Sequence, residues 1–320
     1  MKSIAVLTSG GDAPGMNPAV RAVVRTACQR GIKVYGVDRG YTGLINGDIH
    51  EMNLRSVSDI ITRGGTILYS ARCPEFKTEE GLQKAVATCK KFGIDGMVII
   101  GGDGSFRGAR DLSLRGIPCI GLPGTIDNDI SCTDYTIGYD TCLNTIVQMV
   151  DRIRDTSESH DRCTVVEVMG RGAGYLALEA GIAVGATSII VPEVEYDIER
   201  DVIARIREFQ KTGKKHFIII VSEGVVGAQE LANQIQAATG VDSRATVLGH
   251  IQRGGSPTVR DRVNASLMGY HAIDLLDKGI YNRVVAVSGD KIVDYDVNVA
   301  LSMHKTIDRD MIEIANAISI

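Results

Sequence analysis

Gly101-Gly102-Asp103-Gly104-Ser105 directly follows a short apolar run at residues 97–100. A run of this length rich in β-branched residues predicts a buried strand, and the glycines after it predict a tight turn into a helix. The same succession recurs along the chain, which predicts an α/β fold with mainly parallel sheets. Ligands bind beyond the carboxyl ends of the strands in such sheets, so these loops are the first candidates for a functional site.

Eight runs of this kind are predicted strands: residues 4–7, 34–37, 97–100, 119–122, 164–168, 188–191, 217–221 and 284–287. The first helix is predicted from the residues that typically start and end helices. These are Asn17 as N-cap, Pro18 at the first helical position and Gly31 as the C-terminal stop. Apolar residues at helical spacing predict another helix over 141–154.

Composition narrows the class of protein. The 320 residues exceed the usual size of one domain, and 44% hydrophobic with 23% charged residues is typical of a globular chain. A net charge of -4 argues against nucleic-acid binding, and no apolar run approaches the roughly 20 residues of a membrane span. Seven cysteines without a C-x-x-C pair favour free thiols and a cytoplasmic location.

Three strand ends combine glycines with acidic residues, at 8–12, 101–105 and 123–129. Glycines allow backbone amides to approach phosphate groups, and a helix N-terminus adds to such an anion site. An aspartate among these glycines would repel a phosphate unless a cation lay between them. Asp103 therefore predicts Mg²⁺ bound together with a nucleotide.

The third loop contains Asp127 and Asp129 on either side of Asn128. If the loop is extended, the two carboxylates point the same way, and one could act as a base while the other lies near the metal. The alternative is a structural Asx-turn. No P-loop, protein-kinase or dinucleotide signature occurs, which argues against those nucleotide-binding classes and against a dehydrogenase.

Together, the second and third loops resemble those of the bacterial ATP-dependent 6-phosphofructokinases. Further segments that share the resemblance run along most of the chain, at 7–12, 70–76, 168–171 and 249–255. The resemblance implies two Rossmann-like three-layer domains with the active site in the cleft between them. It assigns 1–138 plus 252–303 to a larger ATP-binding domain and 139–251 plus 304–320 to a smaller fructose 6-phosphate-binding domain.

The resemblance also implies a reaction, in which the γ-phosphate of ATP moves to the 1-hydroxyl of fructose 6-phosphate in glycolysis. Asp127 would be the base, and the other catalytic residues would be Gly11, Arg72, Thr125 and Arg171. ATP would be bound by Gly11, Arg72, Cys73, Gly102, Asp103, Gly104 and Ser105, with Mg²⁺ at Asp103 and Asp129. Fructose 6-phosphate would be bound by Thr125, Asp127, Met169, Gly170, Arg171, Glu223, His250 and Arg253, with Arg162 and Arg244 reaching in from a neighbouring subunit.

Regulation follows from the same resemblance, which implies a homotetramer controlled by ADP or phosphoenolpyruvate. The implied effector residues are Arg21, Arg25, Arg154, Gly185, Lys214 and Lys215. Leu54, Thr187 and Thr212 depart from the family pattern at effector positions. An acidic Asp161 beside Arg162 suggests a switch of charge next to the sugar phosphate.

Two alternatives stay open within this fold. Relatives that use diphosphate typically have an aspartate at the position of Gly104 and a lysine at that of Gly124, so these glycines favour ATP as the donor. A non-catalytic nucleotide-binding regulatory subunit is the other alternative, and the presence of Asp103, Thr125, Asp127 and Arg171 argues against it.

Overall fold

A computed structural model describes residues 1–319 of the chain. The strands in these residues are β1 (Ser3–Thr8), β2 (Lys33–Val37), β3 (Ile49–Met52), β4 (Gly96–Gly101), β5 (Cys119–Pro123), β6 (Cys163–Val168), β7 (Ser188–Ile190), β8 (Phe217–Ser222), β9 (Ser243–Val247), β10 (Arg283–Ser288) and β11 (Lys291–Asp296).

The α-helices are α1 (Met16–Gln29), α2 (Gly40–Asn46), α3 (Glu79–Phe92), α4 (Asp103–Ser113), α5 (Tyr139–Ser159), α6 (Tyr175–Ala183), α7 (Ala204–Lys211), α8 (Ala228–Thr239), α9 (Val259–Asp277), α10 (Val297–Ser302) and α11 (Arg309–Ile318). Short 3₁₀ turns occur at Glu75–Lys77 and Gly249–Arg253, and a π-helical turn at Glu199–Ile203 leads into α7.

The chain forms two compact units. The first consists of Met1–Ile126, Ile130–Thr141 and Arg253–Lys305. The second consists of Asp127–Asp129, Cys142–Gln252 and a last segment that starts at Thr306. The assignment of one substrate to each domain stays a prediction.

The first unit is built on a sheet with the strand order β11-β10-β5-β4-β1-β2-β3. Its five central strands are parallel, and β3 and β11 pair antiparallel at the two edges. Leu44, Leu82 and Leu112 from α2, α3 and α4 form a buried cluster with Leu7 and Ile99 on one face. On the other face α1 and α9 pack against each other and against the central strands, which gives three layers.

The second unit is built on a parallel sheet with the order β7-β8-β6-β9. Val165 and Ile219 lie on the face that α7 and α8 cover. On the opposite face Gly181 of α6 packs so closely on Ile189 that an added Cβ would lie 2.5 Å from its Cδ1. This unit too is a three-layer α/β structure, so the predicted fold class is confirmed.

All eight predicted strands are present, and their ends differ from the prediction by at most one residue. Gly31 ends the first helix with φ 71°, as predicted. The predicted N-cap is wrong, because α1 starts at Met16 with Gly15 as its cap. Asn17 is buried inside the helix and uses its side chain elsewhere, donating to Arg63 O over 3.0 Å. Among residues 1–319 no helix has both the length and the apolar character needed to cross a membrane.

Candidate active site

The three glycine-rich loops begin side by side at the carboxyl ends of strands in the first unit's sheet. They do so because the strands that precede them, β1, β4 and β5, are parallel neighbours. The loops are bonded to the strands beside them. Ser9 N donates to Ile100 O over 2.9 Å, and Gly124 N donates to Gly101 O over 3.0 Å. A Cβ on Gly101 would lie 2.5 Å from Ser9 O, so only glycine fits at this crossing.

The predicted nucleotide residues of the second loop form the amino end of α4. Gly102 is the N-cap, and Asp103 is the first residue of the helix and is half-buried. Ser105 is buried, and its carbonyl accepts a hydrogen bond of 2.5 Å from the Tyr41 hydroxyl. A Cβ at Gly102 or Gly104 would meet nothing within 4 Å. Open space therefore borders Gly102 and Gly104, as a phosphate chain bound at this loop would require.

Arg72 and Cys73 lie on a segment that is fastened to the first loop. The Ser70 hydroxyl, two residues before Arg72, donates to Gly10 O. Arg72 is exposed and Cys73 is half-buried. The structure thus brings these two predicted nucleotide residues near the phosphate loop within the same unit.

Gly11 and Arg253 are in contact, although the family resemblance assigns Gly11 to the nucleotide and Arg253 to the sugar phosphate. Arg253 Nη1 donates to Asp12 O over 3.1 Å. A Cβ on Gly11 would lie 2.4 Å from that nitrogen. The guanidinium therefore lies directly over the first loop.

The third loop contains the predicted base. Asp127 is 3% exposed, whereas Asp129 and Thr125 are half-buried. Asn128 has φ 52°, so the backbone between the two aspartates is left-handed and not extended. The expectation that both carboxylates point the same way by strand-like alternation is therefore wrong, since that rule holds only for extended backbone.

Residues 1–319 contain no cluster of three or more His, Cys, Asp or Glu side chains that could hold a metal by itself. Mg²⁺ commonly binds through one or two carboxylates together with phosphate oxygens of a substrate. A half-buried carboxylate at the start of a helix, beside glycines that are predicted to bind phosphate, fits that mode, and Asp103 is such a group.

Asp103 also affects a neighbouring thiol. Burial and, second, the charge of Asp103 raise the pKa of Cys132 to about 11.

In the second unit, predicted sugar-phosphate residues follow the carboxyl ends of β6 and β8. Glu223 Oε1 accepts from Gly170 N over 3.2 Å and from Arg171 N over 2.8 Å. Arg171 is exposed with φ 53°, and a Cβ on Gly170 would lie 2.2 Å from Ala173 O. Glu223 therefore fixes the turn that presents the Arg171 side chain.

A buried amide that the sequence did not assign supports the same turn. Gln252 is fully buried; its Oε1 accepts from Met169 N over 3.1 Å, and its Nε2 donates to Gly249 O over 3.0 Å. His250 lies exposed in the 3₁₀ turn between these partners. The signal for Gln252 was its place inside the Gly-His-Ile-Gln-Arg-Gly segment.

Arg162 and Arg244 lie at the other end of this sheet. Arg162 directly precedes β6, and Arg244 is the second residue of β9 and pairs in register with Thr164. At about 3.3 Å per residue, Arg162 lies roughly 20 Å from the carboxyl end of β6, and the register of Arg244 with Thr164 puts Arg244 roughly 13 Å from that end. Arg162 and Arg244 therefore start from the opposite end of this sheet from Arg171.

The predicted effector arginines of the first unit lie one turn apart on α1. Arg25 Nε is buried and has no hydrogen-bond partner among the described residues. Burial and, second, the charge of Arg25 lower the pKa of Arg21. Two partly buried positive charges that lie side by side repel each other. An anion bound between them would offset that repulsion and would itself be stabilised.

The predicted effector residues of the second unit divide into two groups. Arg154 donates to Val184 O next to Gly185, which has φ 59°. Burial and then the charges of Arg154 and Arg205 lower the pKa of Lys214. Arg205, which the sequence did not assign, adds a third cation to this group.

Lys215 lies apart from that group, in an exposed ion pair with Asp161 at 3.7 Å. Asp161 itself has φ 51°. Arg162, the next residue, pairs instead with Asp242, so the neighbouring anion and cation have separate partners.

Residues 3–276 match the family model described as phosphofructokinase. The chain belongs to the phosphofructokinase family. An ATP-dependent 6-phosphofructokinase of Clostridium botulinum is 56% identical over 319 residues, which is 100% of each chain. Two phosphofructokinase structures are also similar. The Saccharomyces cerevisiae protein has a TM-score of 0.86 at 35% identity over 99% of this chain and 47% of its own. The Pichia pastoris protein, described in the T-state, has 0.89 at 37% identity over 98% and 37%.

This chain therefore spans less than half of either of those two phosphofructokinases but the whole of its clostridial relative. The phosphofructokinase relationship confirms the family that the glycine-rich loops indicated. It extends over both units, since the matched residues include strands of both sheets.

Proposed function

We propose that this chain is an ATP-dependent 6-phosphofructokinase, a glycolytic kinase that transfers the γ-phosphate of ATP to the 1-hydroxyl of fructose 6-phosphate. The observation that carries the proposal is the meeting of three glycine-rich loops with acidic residues at the ends of three neighbouring parallel strands. Backbone amides there can approach a phosphate chain, and the third loop leads directly to Asp127. The name of the full-length relative supports the same reaction.

Asp127 is the general base in this proposal. It accepts the proton of the sugar hydroxyl as that oxygen attacks the γ-phosphorus of ATP, and ADP leaves with the electrons of the broken bond. Its low exposure suits a base that has to be shielded from water. Thr125, Arg72 and Arg171 stabilise charge on the transferring phosphoryl oxygens, because fixed donors in a water-poor site act most strongly there.

The nucleotide is bound by the backbone around Gly11 and Gly102 to Ser105, with Arg72 and Cys73 beside it. Asp103 and Asp129 would hold Mg²⁺ together with the phosphate oxygens. When bound, the ion neutralises charge on the β- and γ-phosphates and orients them. The chain's own contribution is the α4 amino terminus, whose amides and dipole favour an anionic ligand.

Fructose 6-phosphate is bound by Met169, Gly170, Arg171, Glu223, His250 and Arg253, with Thr125 and Asp127 at the reacting end. Arg162 and Arg244 come from a neighbouring subunit. Their place at the amino ends of β6 and β9, at the opposite end of the sheet from the turn that follows β6, supports this arrangement. Guanidinium groups bind a phosphate dianion through paired hydrogen bonds, which suits both sets.

We further propose a homotetramer regulated by ADP and phosphoenolpyruvate. Arg21 with Arg25 in the first unit, and Arg154 with Lys214 in the second, are partly desolvated cations that an anionic effector would stabilise. Gly185 lies next to the carbonyl that Arg154 binds, whereas Lys215 is the weaker member, since it is exposed and already paired with Asp161. We assign the enzyme to the cytoplasm, where its seven cysteines would stay free thiols as they are here.

A coupled assay for ADP formation tests the reaction. With Mg²⁺, ATP and fructose 6-phosphate we expect turnover, and with diphosphate in place of ATP we expect none. Turnover only with diphosphate would assign the chain to the other donor class. No turnover with either donor would overturn the proposed function.

The same assay tests regulation. Saturation by fructose 6-phosphate should be sigmoidal or should shift when ADP or phosphoenolpyruvate is added. A hyperbolic curve that neither compound moves would remove the effector part of the proposal and leave the reaction intact.

A further inference from the structure

Asp261 is a fully buried carboxylate in the first turn of α9. Its Oδ1 accepts from the Tyr135 hydroxyl over 2.6 Å and from Gly138 N over 2.7 Å. Its Oδ2 accepts from Thr141 N over 2.9 Å and also from the Thr141 hydroxyl. All four donors belong to residues 135–141, which precede and begin α5. Asp261 therefore joins one helix start to another across the first unit.

Four donors occupy nearly all the accepting positions of a carboxylate. Gly138, directly before α5, has no side chain that could cap the helix, so Asp261 accepts from the Thr141 amide in the first turn from outside the helix. Burial raises the pKa of Asp261, and the hydrogen bonds from Thr141 and Tyr135 oppose that rise. A buried carboxylate is unfavourable unless it is fully bonded, and here it is.

The segment that Asp261 binds also holds the strand end next to the predicted base. Ile137 N donates to Pro123 O over 2.8 Å, and Ile137 forms a parallel bridge with Gly124. The Thr136 hydroxyl donates to Thr125 O over 2.7 Å. Residues 136 and 137 thus lie between two anchor points on Asp261, at 135 and 138, and hold the backbone of 123–125.

The opposite side of this segment packs against the end of the first glycine-rich loop. A Cβ on Gly15 would lie 2.6 Å from Ile137 Cγ2 and 3.5 Å from Asp261 Cβ. A Cβ on Gly138 would lie 2.7 Å from Ala13 Cβ. Because there is no free space on this side, a shift of residues 135–138 has to move their neighbours.

We propose that Asp261 is a positioning residue for the phosphoryl-transfer site. Through residues 135–138 it fixes the carbonyl of Thr125, and through the chain it sets the place of Asp127 two residues later. Asp261 acts on the reaction only through these backbone contacts. The role of Thr125 and Asp127 in the reaction rests on the proposed function, whereas the fixing of the 123–127 backbone does not.

Asp261→Asn tests this proposal. The amide has the size of the carboxylate, but an NH₂ donor replaces one of the two oxygens. The variant side chain can therefore accept hydrogen bonds only at its single remaining oxygen. Since misplacement by about 1 Å can cost about a hundredfold in rate, we expect kcat to fall roughly 10- to 100-fold. The KM for ATP should rise by a smaller factor than kcat falls, because residues 136 and 137 bond directly to the third loop but only pack against residues 13–15, beyond the first loop.

Leu82→Ala is the matched control for general destabilisation. Leu82 is buried in α3, on the face of the sheet away from α9. Both variants should unfold at lower temperature, and both are assayed well below their unfolding midpoints. Only Asp261→Asn should lose kcat.

Thr136→Val tests the route of the effect. It removes the hydrogen bond to Thr125 O, so its effect on kcat and that of Asp261→Asn should combine to less than their product in the double variant. Tyr135→Phe removes one of the four bonds and should give a smaller loss of kcat. It also serves as the test if Asp261→Asn does not fold.

Hydrogen exchange measures the positioning independently of turnover. A peptide covering residues 123–127 should exchange faster in Asp261→Asn than in wild type, and in Leu82→Ala it should not. A kcat within twofold of wild type together with unchanged exchange would overturn the proposal. An inactive wild type would overturn the proposed function instead, and the exchange measurement would still decide whether Asp261 fixes the loop.

Discussion

Arg162 Nε donates to Asp242 Oδ2 over 2.7 Å, at the amino ends of the strands that carry two predicted phosphate-binding arginines. Arg244 contacts the other oxygen of the same carboxylate at 3.1 Å. The hydrogen bond from Arg162, more than any other contact, lowers the pKa of Asp242. One aspartate therefore holds both arginines at the same region of the protein surface.

Asp242→Asn should weaken the binding of fructose 6-phosphate. Without the carboxylate, the arginine side chains would have to be ordered when the ligand binds. The conformational entropy lost in ordering a long side chain weakens affinity about three- to tenfold, so we expect the KM to rise by about that factor while kcat stays the same. Steady-state kinetics at saturating ATP measure both. Asp277→Asn is the control, because Asp277 forms a comparable surface pair with Arg30 at 3.1 Å. A lower KM in Asp242→Asn would mean that the carboxylate competes with the phosphate.

Asp127→Ser should remove the general base and spare binding. General bases contribute about 10²- to 10⁴-fold, so kcat should fall by that much. Calorimetric titration should give a dissociation constant for fructose 6-phosphate within a few-fold of wild type. Asp290→Ser, in the exposed turn between β10 and β11, makes the same change away from the loops. Equal turnover of the two variants would contradict the assignment of Asp127.

Gly104→Asp should impair the use of ATP without disturbing the fold. A Cβ at this position meets nothing within 4 Å, so the protein itself has room for a side chain. A carboxylate there would repel the phosphate chain and occupy part of its space. We expect the KM for ATP to rise at least tenfold with an unchanged unfolding midpoint, and Gly104→Ala to show a smaller rise. Unchanged ATP kinetics in Gly104→Asp would rule out this position as a donor filter.

Thiol labelling should find Cys73 and not the buried cysteines. Burial raises the pKa of Cys89 and Cys163 to about 12, so at pH 8 only roughly one in ten thousand of these thiols is ionised. Their labelling should stay slow and should speed up about tenfold per pH unit. MgATP should protect Cys73, which Cys73→Ser would verify. Cys28, the other partly exposed thiol, should label at the same rate with and without nucleotide.

Much of the fold follows from local patterns, because buried parallel strands are short apolar runs that glycines end. The strands that were not predicted lack that pattern. β3 and β11 are sheet edges in contact with water on one side, and β9 reads Ser-Arg-Ala-Thr-Val with few buried positions. Their pairing depends on the neighbouring strand more than on their own composition.

The site residues predicted from loops were those that short motifs identify. Asp261 and Asp242 are not among them, because each carboxylate binds residues that are distant in the chain, and no local motif links it to them. Thr258 and Asp261 do form a local helix-start signal, and Thr258 Oγ1 accepts from Asp261 N over 3.3 Å. Nothing local indicates that the same carboxylate also binds Gly138, 123 residues away. At Asn17 the local signal is misleading, because this residue type often caps helices but its side chain here donates to Arg63 O in a distant loop.

The contact between Gly11 and Arg253 has a consequence for how this enzyme could diversify. A side chain at position 11 and an arginine at position 253 would occupy the same space, since an added Cβ would lie 2.4 Å from the guanidinium. Because the guanidinium is the far end of a flexible side chain, a side chain at position 11 would displace it and would not exclude an arginine at position 253. A lineage that places a side chain at position 11 would therefore move the guanidinium of residue 253 away from the carbonyl of Asp12 in the same evolutionary step.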